Sequence, residues 1–428
     1  MIKKIRLIRG MHDYLPEELY FWEYTENILK KIFKNYGYNE IRLPILENTQ
    51  LFKKSIGEVT DIIEKEMYTF LDRKKQSITL RPEATASCAR AVLENNLLKN
   101  IHQRFWYFGP MFRYERPQKG RYRQFYQFGC EVYGLSDPSI DLELIILLYR
   151  CWKNLKINKK VFLEINSIGS IQSREKYKID LITFLKSNIN SLDVESKNRL
   201  YTNPLRILDS KNLNVQNLLK NAPSLLDYID NNSKNHFQNL CFLIKEMKIP
   251  FVVNKNLIRG LDYYNSIVFE WKYKSKKLGL QNTICAGGRY DNLINILGGP
   301  STPALGFAIG MERLIYVLKQ NKKKINTNLI NDVYIISNIQ ENKILCIKYA
   351  EKIRNFFNKL KIIQDFNLGS IKKKIIRAKK FQSKVIIIIN KYTLINNVIE
   401  IRYFHTNKVK IVHIKKIIQI LEKFFNKN

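Results

Sequence analysis

The stretch at residues 104–134 constrains the fold of this chain more than any other segment does. It reads RFWYFGPMFRYERPQKGRYRQFYQFGCEVYG, two aromatic-rich runs joined by a polar, basic segment. Alternation with a period of two residues is typical of β-strands. The stretch therefore predicts two paired strands connected by a basic loop.

The two faces of this predicted hairpin differ in chemistry. The packing face would hold Tyr126, Phe128, Cys130 and Val132, and the other face Phe125, Gln127, Gly129 and Glu131. On the first strand, Arg113 and Glu115 share the polar parity. Charges on an aromatic sheet face are costly unless a polar group meets them. This face is either the floor of a ligand site, with Gly129 leaving room between the polar side chains, or a solvated outer surface.

The loop between the two strands is strongly basic. It contains Arg116, Gln118, Arg121 and Arg123, and such a loop suits phosphates or nucleic acid. The chain as a whole has a net charge of +35, which points to a polyanionic partner. However, Lys, Asn and Ile are abundant everywhere, so compositional drift is an alternative source of the charge.

Cysteine usage and hydropathy exclude two classes of protein. The six cysteines are widely spaced and form no C-x-x-C pair, so neither a disulfide framework nor a zinc site is expected. A reducing cytoplasm fits this pattern. No run of about 18 apolar residues occurs, so we expect no membrane span.

Three further segments carry candidate site residues. Glu83 and Thr85 stand on a loop just before a predicted helix, where the carboxylate of Glu83 could bind an amine or simply favour the helix dipole. Arg259 and the pair Tyr263 and Tyr264 precede a predicted strand.

The third segment is rich in glycine. Gly287 and Gly288 are predicted between a strand and a helix, and Gly310 separates a strand from a helix that carries Arg313 in its first turn. Such glycines let a flat ligand approach the backbone, and an arginine at a helix N-terminus suits phosphate. The same spacing also serves tight packing.

The pattern of helices and strands predicts two domains. The first would span residues 1–325 and include a polar helical insertion at about residues 170–250. A basic linker at residues 322–331 leads into a second domain, residues 326–428, where strands and helices alternate as in a small, mostly parallel α/β domain. Its many lysines form either a solvated face or an RNA-binding one.

Five motifs together resemble those of the histidyl-tRNA synthetase family of bacterial type, along nearly the whole chain. The strand containing Pro44 is similar to the first class II synthetase motif, the hairpin to the second and residues 306–313 to the third. The runs RGLDYY at 259–264 and AGGRYD at 286–291 resemble histidine-specific motifs. The resemblance implies an α+β catalytic domain with an antiparallel sheet flanked by helices, a helical insertion and a C-terminal α/β anticodon-binding domain.

The resemblance also implies roles for individual residues. Arg113 and Arg259 would be catalytic, acting on the α-phosphate of ATP. The histidine site would comprise Glu83, Thr85, Gln127, Glu131, Tyr263 and Tyr264. The ATP site would comprise Arg113, Glu115, Arg121, Phe125 and Arg313. Arg116 and Gln118 would meet the acceptor end of the tRNA.

The implied activity is that of a histidine–tRNA ligase. It would use ATP as substrate with Mg²⁺, held by the phosphates rather than by protein ligands alone. Its partners would be tRNA(His) and a second copy of the chain in a homodimer, with no membrane and a cytoplasmic location.

Two other functions remain as alternatives to this one. A catalytically inactive paralogue that regulates histidine biosynthesis should lack Arg259 or the C-terminal domain, and both are present. A non-enzymatic RNA-binding protein would leave the pattern of Gln127 and Glu131 unexplained. The chain also departs from its family at residues 366–374, where FNLGSIKKK keeps only Gly369 of a glycine-rich run and adds three lysines.

Overall fold

The computed structural model describes residues 4–57, 60–99, 102–118, 120–274, 282–321, 331–337, 343–367, 369–404, 406 and 408–426. Contacts between residues divide the chain into two units, Met1–Lys324 and Ile325–Asn428. Of the predicted linker at residues 322–331, all but Asn331 lies outside the described residues.

The first unit combines a large sheet, a small sheet and helices. Its strands are β1 (Asn39–Glu40), β2 (Leu46–Asn48), β3 (Tyr68–Leu71), β4 (Ser77–Leu80), β5 (Gln103–Phe112), β6 (Gln124–Tyr133), β7 (Val161–Ser167), β8 (Phe251–Val253), β9 (Asn265–Tyr273), β10 (Thr283–Arg289) and β11 (Ala304–Gly310). Its helices are α1 (Pro16–Asn35), α2 (Thr49–Ile56), α3 (Thr85–Glu94), α4 (Pro138–Asn154), α5 (Ile171–Ser187), α6 (Val194–Thr202), α7 (Leu213–Leu219), α8 (Asn231–Glu246), α9 (Leu293–Ile296) and α10 (Met311–Gln320).

The predicted hairpin is confirmed and lies inside the large sheet. The strand order is β1-β5-β6-β11-β10-β9-β7-β8, and the strands pair antiparallel except at the two ends, β1 with β5 and β7 with β8. Strand β6 therefore has a neighbour on each side, with Phe105 of β5 opposite Glu131 and Gly310 of β11 opposite Gln127. An inner strand of this kind can carry side chains into a site walled by several other strands.

Aromatic packing holds α1 against the hairpin. Helix α1 begins with Pro16, whose fixed φ suits the first helical turn, and two acidic residues follow it in that turn. Its buried Phe33 packs on Phe128, with ring centroids 4.9 Å apart, and Phe128 stacks on Trp106 at 5.1 Å. The predicted packing face of the second strand is thus a core face.

The strand that was predicted around Pro44 is two short strands in different sheets. β1 lies at the edge of the large sheet, whereas β2 joins β4 and β3 in a three-stranded sheet. Pro44 stands between them, which fits the exclusion of proline from central strands.

The helices α5 to α8 occupy the chain between β7 and β8. Their apolar residues, such as Tyr177, Leu181 and Leu200, belong to the same buried cluster as Tyr263 and Tyr264. This helical segment therefore shares its core with residues that were predicted to form the site.

Gly287 and Gly288 lie within β10, not between a strand and a helix as predicted. A Cβ on Gly287 would be 2.2 Å from the carbonyl oxygen of Gly306 on β11. A Cβ on Gly288 would be 2.4 Å from the carbonyl oxygen of Ile267 on β9. These glycines serve close strand packing rather than the approach of a ligand.

The second unit has a mixed sheet flanked by helices. Its elements are β12 (Val333–Ser337), α11 (Lys343–Phe356), β13 (Ile362–Asp365), α12 (Ile371–Lys380), β14 (Val385–Ile389), α13 (Lys391–Ile395), β15 (Val398–Tyr403), β16 (Val409–His413) and α14 (Ile417–Phe425). The strand order is β13-β12-β14-β15-β16. The first three strands are parallel, and the hairpin of β15 and β16 continues the sheet antiparallel.

The three lysines at the start of α12 have different environments. Lys372 and Lys373 are exposed, whereas Lys374 is buried and its Nζ donates to the carbonyl of Ser337 at 2.6 Å. Only two of the three lysines are therefore available to a phosphate. None of the helices in the described part of the chain is long and apolar enough to cross a membrane.

Candidate active site

A cavity of about 380 Å³ collects most of the predicted site residues in one place. Those that line it are Glu83, Thr85, Arg113, Glu115, Arg121, Phe125, Gln127, Arg259, Tyr263, Tyr264 and Arg313. Glu131, Arg116 and Gln118 are not among the lining residues. The cavity therefore has a cationic part, with these four predicted arginines and Arg206, and a part made of carboxylate, amide and hydroxyl groups.

Glu83 serves the helix and also lines the cavity. Its two carboxylate oxygens accept from the backbone N–H groups of Thr85 at 2.6 Å and Ala86 at 3.0 Å, in the first turn of α3. Burial raises the pKa of this carboxyl, and the backbone donors act against that rise. These contacts support the helix-dipole interpretation of Glu83, and they leave room for a ligand amine because each carboxylate oxygen has a second lone pair.

Glu131 lies just behind the cavity wall, fully buried on β6. Its carboxylate accepts from three hydroxyls, those of Thr85 at 2.8 Å, Tyr107 at 3.1 Å and Tyr290. Burial raises the pKa of Glu131 to about 8, although the hydroxyl of Tyr290 and then that of Thr85 act against the rise.

Two glycines make space for this cluster. A Cβ on Gly306 would be 1.8 Å from Oε2 of Glu131. Gly129 was predicted to leave room for a ligand, but the ring of Tyr107 fills the space above it. That expectation was wrong because Tyr107 stands opposite Gly129 in the hairpin register.

Five arginines line the cavity, four of which were predicted as site residues. Burial lowers the pKa of Arg313 to about 10, and the positive charge of Arg121 lowers it further. Burial also lowers the pKa of Arg113, whose Nε donates to the carbonyl of Pro82 at 2.8 Å. Arg113 lies over the ring of Phe125, 5.2 Å from its centroid. Such a group of cations favours an anionic ligand.

Glu270 on β9 is a site residue that sequence reasoning missed. One of its carboxylate oxygens pairs with Arg259, and the other accepts from the Thr283 hydroxyl at 2.7 Å. Lys272 lies 3.5 Å from that second oxygen. Burial alone would lower the pKa of Arg259, but the negative charge of Glu270, together with smaller contributions from neighbouring groups, raises it. A lone carboxylate within the apolar run IVFEW was the available signal.

Two buried polar atoms in the cavity wall have no hydrogen-bond partner among the described residues. They are Oε1 of Gln127 and Nε of Arg259. Buried polar atoms of folded proteins are nearly always satisfied. One acceptor and one donor are thus left to a ligand in the same cavity.

The loop between β5 and β6 leaves Arg116 and Gln118 exposed. The backbone of Gln118 pairs with that of Arg121 through two hydrogen bonds of 3.0 Å. Glu115 forms an ion pair with Arg121. The loop is thus attached to the cavity through Arg121, while its two remaining candidates face solvent.

Some residues of the recognised motifs support the fold instead. Arg289 donates from Nη2 to Asp141 at 2.6 Å and from Nε at 2.9 Å, away from the cavity. Arg81 donates to the carbonyls of Leu43 and Pro110, both at 2.9 Å. Within the described ranges, no three His, Cys, Asp or Glu side chains are grouped in a way that could hold a metal ion.

Comparison with known proteins gives consistent matches over the whole chain. The family model described as "Histidyl-tRNA synthetase" matches residues 10–314, and the model "Anticodon binding domain" matches residues 332–424. The chain is 53% identical over 430 aligned residues to the histidine–tRNA ligase of Buchnera aphidicola subsp. Schizaphis graminum, covering 97% of this chain and 99% of that protein. It is 50% identical to the histidine–tRNA ligase of Blochmanniella floridana, covering 99% and 98% of the two chains.

A solved structure extends the likeness to three dimensions. The apo histidyl-tRNA synthetase of S. aureus is 32% identical in sequence and superposes with a TM-score of 0.81. The match covers 98% of this chain and all of the other.

Proposed function

This chain belongs to the histidyl-tRNA synthetase family, and from that premise and its cavity we infer that it is a histidine–tRNA ligase. It activates L-histidine with ATP to give histidyl-adenylate and diphosphate, and transfers the histidyl group to the 3′ end of tRNA(His). The observation that carries this conclusion is the cavity itself. It joins five arginines, which suit phosphates, to a group of carboxylate, amide and hydroxyl side chains, which suit an amino acid with a polar ring.

The amino group of histidine is assigned to Glu83, Thr85 and Gln127. Glu83 brings a carboxylate to the cavity wall, and Gln127 brings a buried Oε1 that has no partner among the described residues. A protonated amine offers three donors, which matches these acceptors.

The imidazole ring is assigned to Tyr263, Tyr264 and Glu131. A neutral imidazole needs one donor and one acceptor as partners. Burial raises the pKa of Tyr264 to about 12, so its hydroxyl keeps its proton at neutral pH. Glu131 does not line the cavity, but its carboxylate accepts a hydrogen bond from the hydroxyl of Thr85, which does. Such a site rejects apolar side chains because its own polar groups would lose their partners.

The phosphates of ATP are assigned to Arg113, Arg121 and Arg313, with Glu115 beside them. Phe125, already stacked on Arg113, offers a ring against which the adenine can lie. Arginine suits this task because its planar guanidinium pairs with two phosphate oxygens at once.

The activation step follows from this placement. The carboxylate of histidine attacks the α-phosphorus, the bond to the bridging oxygen breaks, and diphosphate leaves. Arg113 and Arg259 neutralise the charge that grows on the α-phosphate oxygens. Most of the rate enhancement comes from positioning and charge stabilisation, as in other phosphoryl-type transfers. The terminal ribose hydroxyl of the tRNA then takes the histidyl group, and AMP leaves.

Mg²⁺ fits the cavity as a companion of ATP. Magnesium sites in proteins commonly combine one or two carboxylates with substrate phosphates. Glu115 and Glu270 line the cavity beside the arginines and could supply those carboxylates. When bound, the ion would neutralise charge on the β- and γ-phosphates.

The remaining partners are also part of the proposal. The anticodon-binding unit contacts the tRNA, and the exposed Arg116 and Gln118 are assigned to its acceptor end. A homodimer is proposed, and exposed apolar side chains on the small sheet support it: Leu46 is 44% exposed, Phe70 47% and Leu71 64%. A cytoplasmic location fits the six unpaired cysteines.

An ATP–diphosphate exchange assay with each amino acid tests the function, accompanied by charging of tRNA(His). Exchange that depends on histidine alone, followed by charging, supports the ligase. Binding of histidine without exchange would favour a regulatory paralogue. Binding of RNA without exchange or histidine binding would favour an RNA-binding protein.

A further inference from the structure

An arginine of the helical segment α5–α8 holds the backbone of the proposed histidine loop. Arg174, in the first turn of α5, donates from Nη1 to the carbonyl oxygen of Tyr264 at 2.7 Å. Burial lowers the pKa of Arg174, and the negative charge of Asp262 acts against that fall. A partly buried arginine needs such partners, so this contact fixes the end of the loop that carries Tyr263 and Tyr264.

A second arginine covers the other end of the same loop. Arg206 lies in a 3-10 turn, Pro204–Asp209, and lines the cavity. Its guanidinium packs on Gly260, where a Cβ would be 2.9 Å from Nη1. Its Nη2 is also 3.4 Å from Asp61. Arg206 therefore touches the residue that follows Arg259, the proposed catalytic arginine.

Asp262 belongs to the same loop, and the charges of both arginines act on it. Its backbone N–H donates to the carbonyl of Ile56 at 3.0 Å, and its carboxylate occupies the space beside Gly57, where a Cβ would be 2.4 Å from Oδ2. Burial raises the pKa of Asp262, and the charges of Arg206 and then Arg174 act against that rise. The loop thus presents a carboxylate that interacts electrostatically with two cations, both from the helical segment.

We propose that Arg174 and Arg206 are positioning residues for the loop at 259–264, so that the helical segment sets the geometry of Arg259, Tyr263 and Tyr264. The proposal rests on the function proposed above for these three side chains. It gives the helical segment a part in amino-acid activation, before any tRNA is bound. Neither arginine needs to touch histidine, because each acts through the loop backbone and Asp262.

Lysine should not replace arginine fully at position 174 or position 206. A lysine at 206 keeps the charge near Asp262 but cannot cover Gly260 with a planar group, and a lysine at 174 reaches the Tyr264 carbonyl with a shorter, more strongly hydrated head. A misplacement of about 1 Å in a catalytic group can cost about a hundredfold in rate. The variants Arg174→Lys and Arg206→Lys should therefore keep the fold while loosening the loop.

The test is exchange kinetics on the full chain, with separate kcat and KM values for histidine and ATP. Both lysine variants should lose at least about tenfold in kcat/KM for histidine. KM for ATP should change by less than about twofold, because Arg113 and Arg313 lie outside the loop. Lys186→Met, an exposed change on α5, is the matched control and should behave like the unmodified protein. Equal losses for both substrates, or lysine variants that match the control, would overturn the proposal.

A double-mutant cycle shows whether the two arginines act through Asp262. Arg206→Lys and Asp262→Asn should be non-additive in kcat/KM for histidine, since each disturbs the same electrostatic interaction. Additive losses would contradict the mechanism. Arg259→Ala, measured in parallel, separates the two proposals. If Arg259→Ala keeps normal exchange activity, the function assigned to the loop is wrong. If Arg259→Ala loses activity but the lysine variants do not, only the positioning role is wrong.

Discussion

The ring of Tyr107 stands in the space that a side chain on Gly129 would need, and a Cβ on Gly129 would be 2.1 Å from the tyrosine Cζ. The two residues are directly opposed in the hairpin. The Tyr107 hydroxyl donates to Glu131, the next residue on the same face of β6. Because Gly129 has no side chain, the Tyr107 ring can lie over it and donate its hydroxyl to Glu131, the proposed acceptor for the imidazole.

Gly129→Ala should impair histidine activation because the added methyl group displaces the Tyr107 ring. We expect kcat/KM for histidine to fall and the melting temperature to drop, as overpacked cores commonly lose about 1–3 kcal/mol. Tyr107→Phe is the comparison, since it keeps the ring and removes only the hydroxyl. An alanine variant with unchanged melting temperature and kinetics would mean that the ring moves aside at no cost.

Arg259→Ala should slow adenylate formation by on the order of a hundredfold or more, as the loss of a transition-state charge donor does. The pre-steady-state rate at saturating ATP and histidine measures this directly. The variant also leaves Glu270 without its arginine partner, so Arg259→Lys, which keeps a cation there, is the control. An unchanged rate of adenylate formation would refute the role of Arg259.

Glu131→Gln should lower kcat/KM for histidine strongly and leave KM for ATP almost unchanged. The amide keeps the shape of the side chain, but it replaces a carboxyl oxygen with an NH2 group, which can turn a donor toward the imidazole. Steady-state exchange kinetics with each substrate varied in turn give both values. Equal losses for both substrates would show that Glu131 holds the fold rather than the substrate.

The free energy of unfolding of the unmodified protein, relative to that of Glu131→Gln, should fall as the pH rises. Burial raises the pKa of Glu131 from an ordinary value of 4.5 to about 8. The stabilising contribution of this carboxyl is therefore complete below about pH 4.5 and is lost as the pH rises through about 8. Relative to Glu131→Gln, the unmodified protein should lose free energy of unfolding between pH 5 and pH 8 in denaturant titrations. A constant difference between the two proteins across this range would contradict the shift.

Gln118→Ala should weaken aminoacylation and leave diphosphate exchange nearly intact. Gln118 is exposed and does not line the cavity, and only the second half-reaction needs the acceptor end of the tRNA. The two assays run on one preparation give the comparison. A matching fall in exchange would place Gln118 in the activation step instead.

Substitutions of the three lysines at the start of α12 should have two different effects, on tRNA binding or on stability. The pair of changes Lys372→Ser and Lys373→Ser should reduce the salt dependence of tRNA binding, with a log–log slope smaller by roughly 0.7–0.9 for each phosphate that is no longer neutralised. Lys374→Met should lower stability and leave that slope unchanged, because Lys374 is buried against Ser337. Identical slopes for all three variants would show that α12 does not meet phosphate.

The altered stretch at residues 366–374 should also relax anticodon reading. Glycines allow close approach of backbone N–H groups to RNA, and this stretch keeps only Gly369. We expect kcat/KM to discriminate less against substituted anticodon bases than in a relative that keeps the glycines, and to fall more steeply with salt. Sharper discrimination at equal salt slope would show that the glycines are dispensable.

The sequence predicted what depends on local pattern. Alternation placed the hairpin and its core face, and the sequence also placed the helix α10 after Gly310 with Arg313 in its first turn. The resemblance supplied the residues that share the cavity. Patterns of this kind act over a few neighbouring residues, or over a motif, and so can be read without a structure.

The interactions that were missed depend on register and on long-range pairing. Tyr107 is opposite Gly129 only because of the alignment of β5 with β6, and Glu270 meets Arg259 only because the loop folds back on β9. Lys374 looked equivalent to its two neighbours, but the helix turns it toward Ser337. The environment of a side chain in such cases is decided by an element far away in sequence.

The residue allowed at position 306, in the third class II motif, depends on the residue at position 131, in the second. A Cβ on Gly306 would be 1.8 Å from Oε2 of Glu131, so no larger residue fits while Glu131 remains. Engineering this enzyme for another amino acid cannot vary position 131 alone. A shorter side chain at position 131 would leave a cavity next to Gly306, which has no side chain to fill it. The two positions form one unit for directed evolution, and libraries that randomise them together should contain active variants that stepwise substitution never reaches.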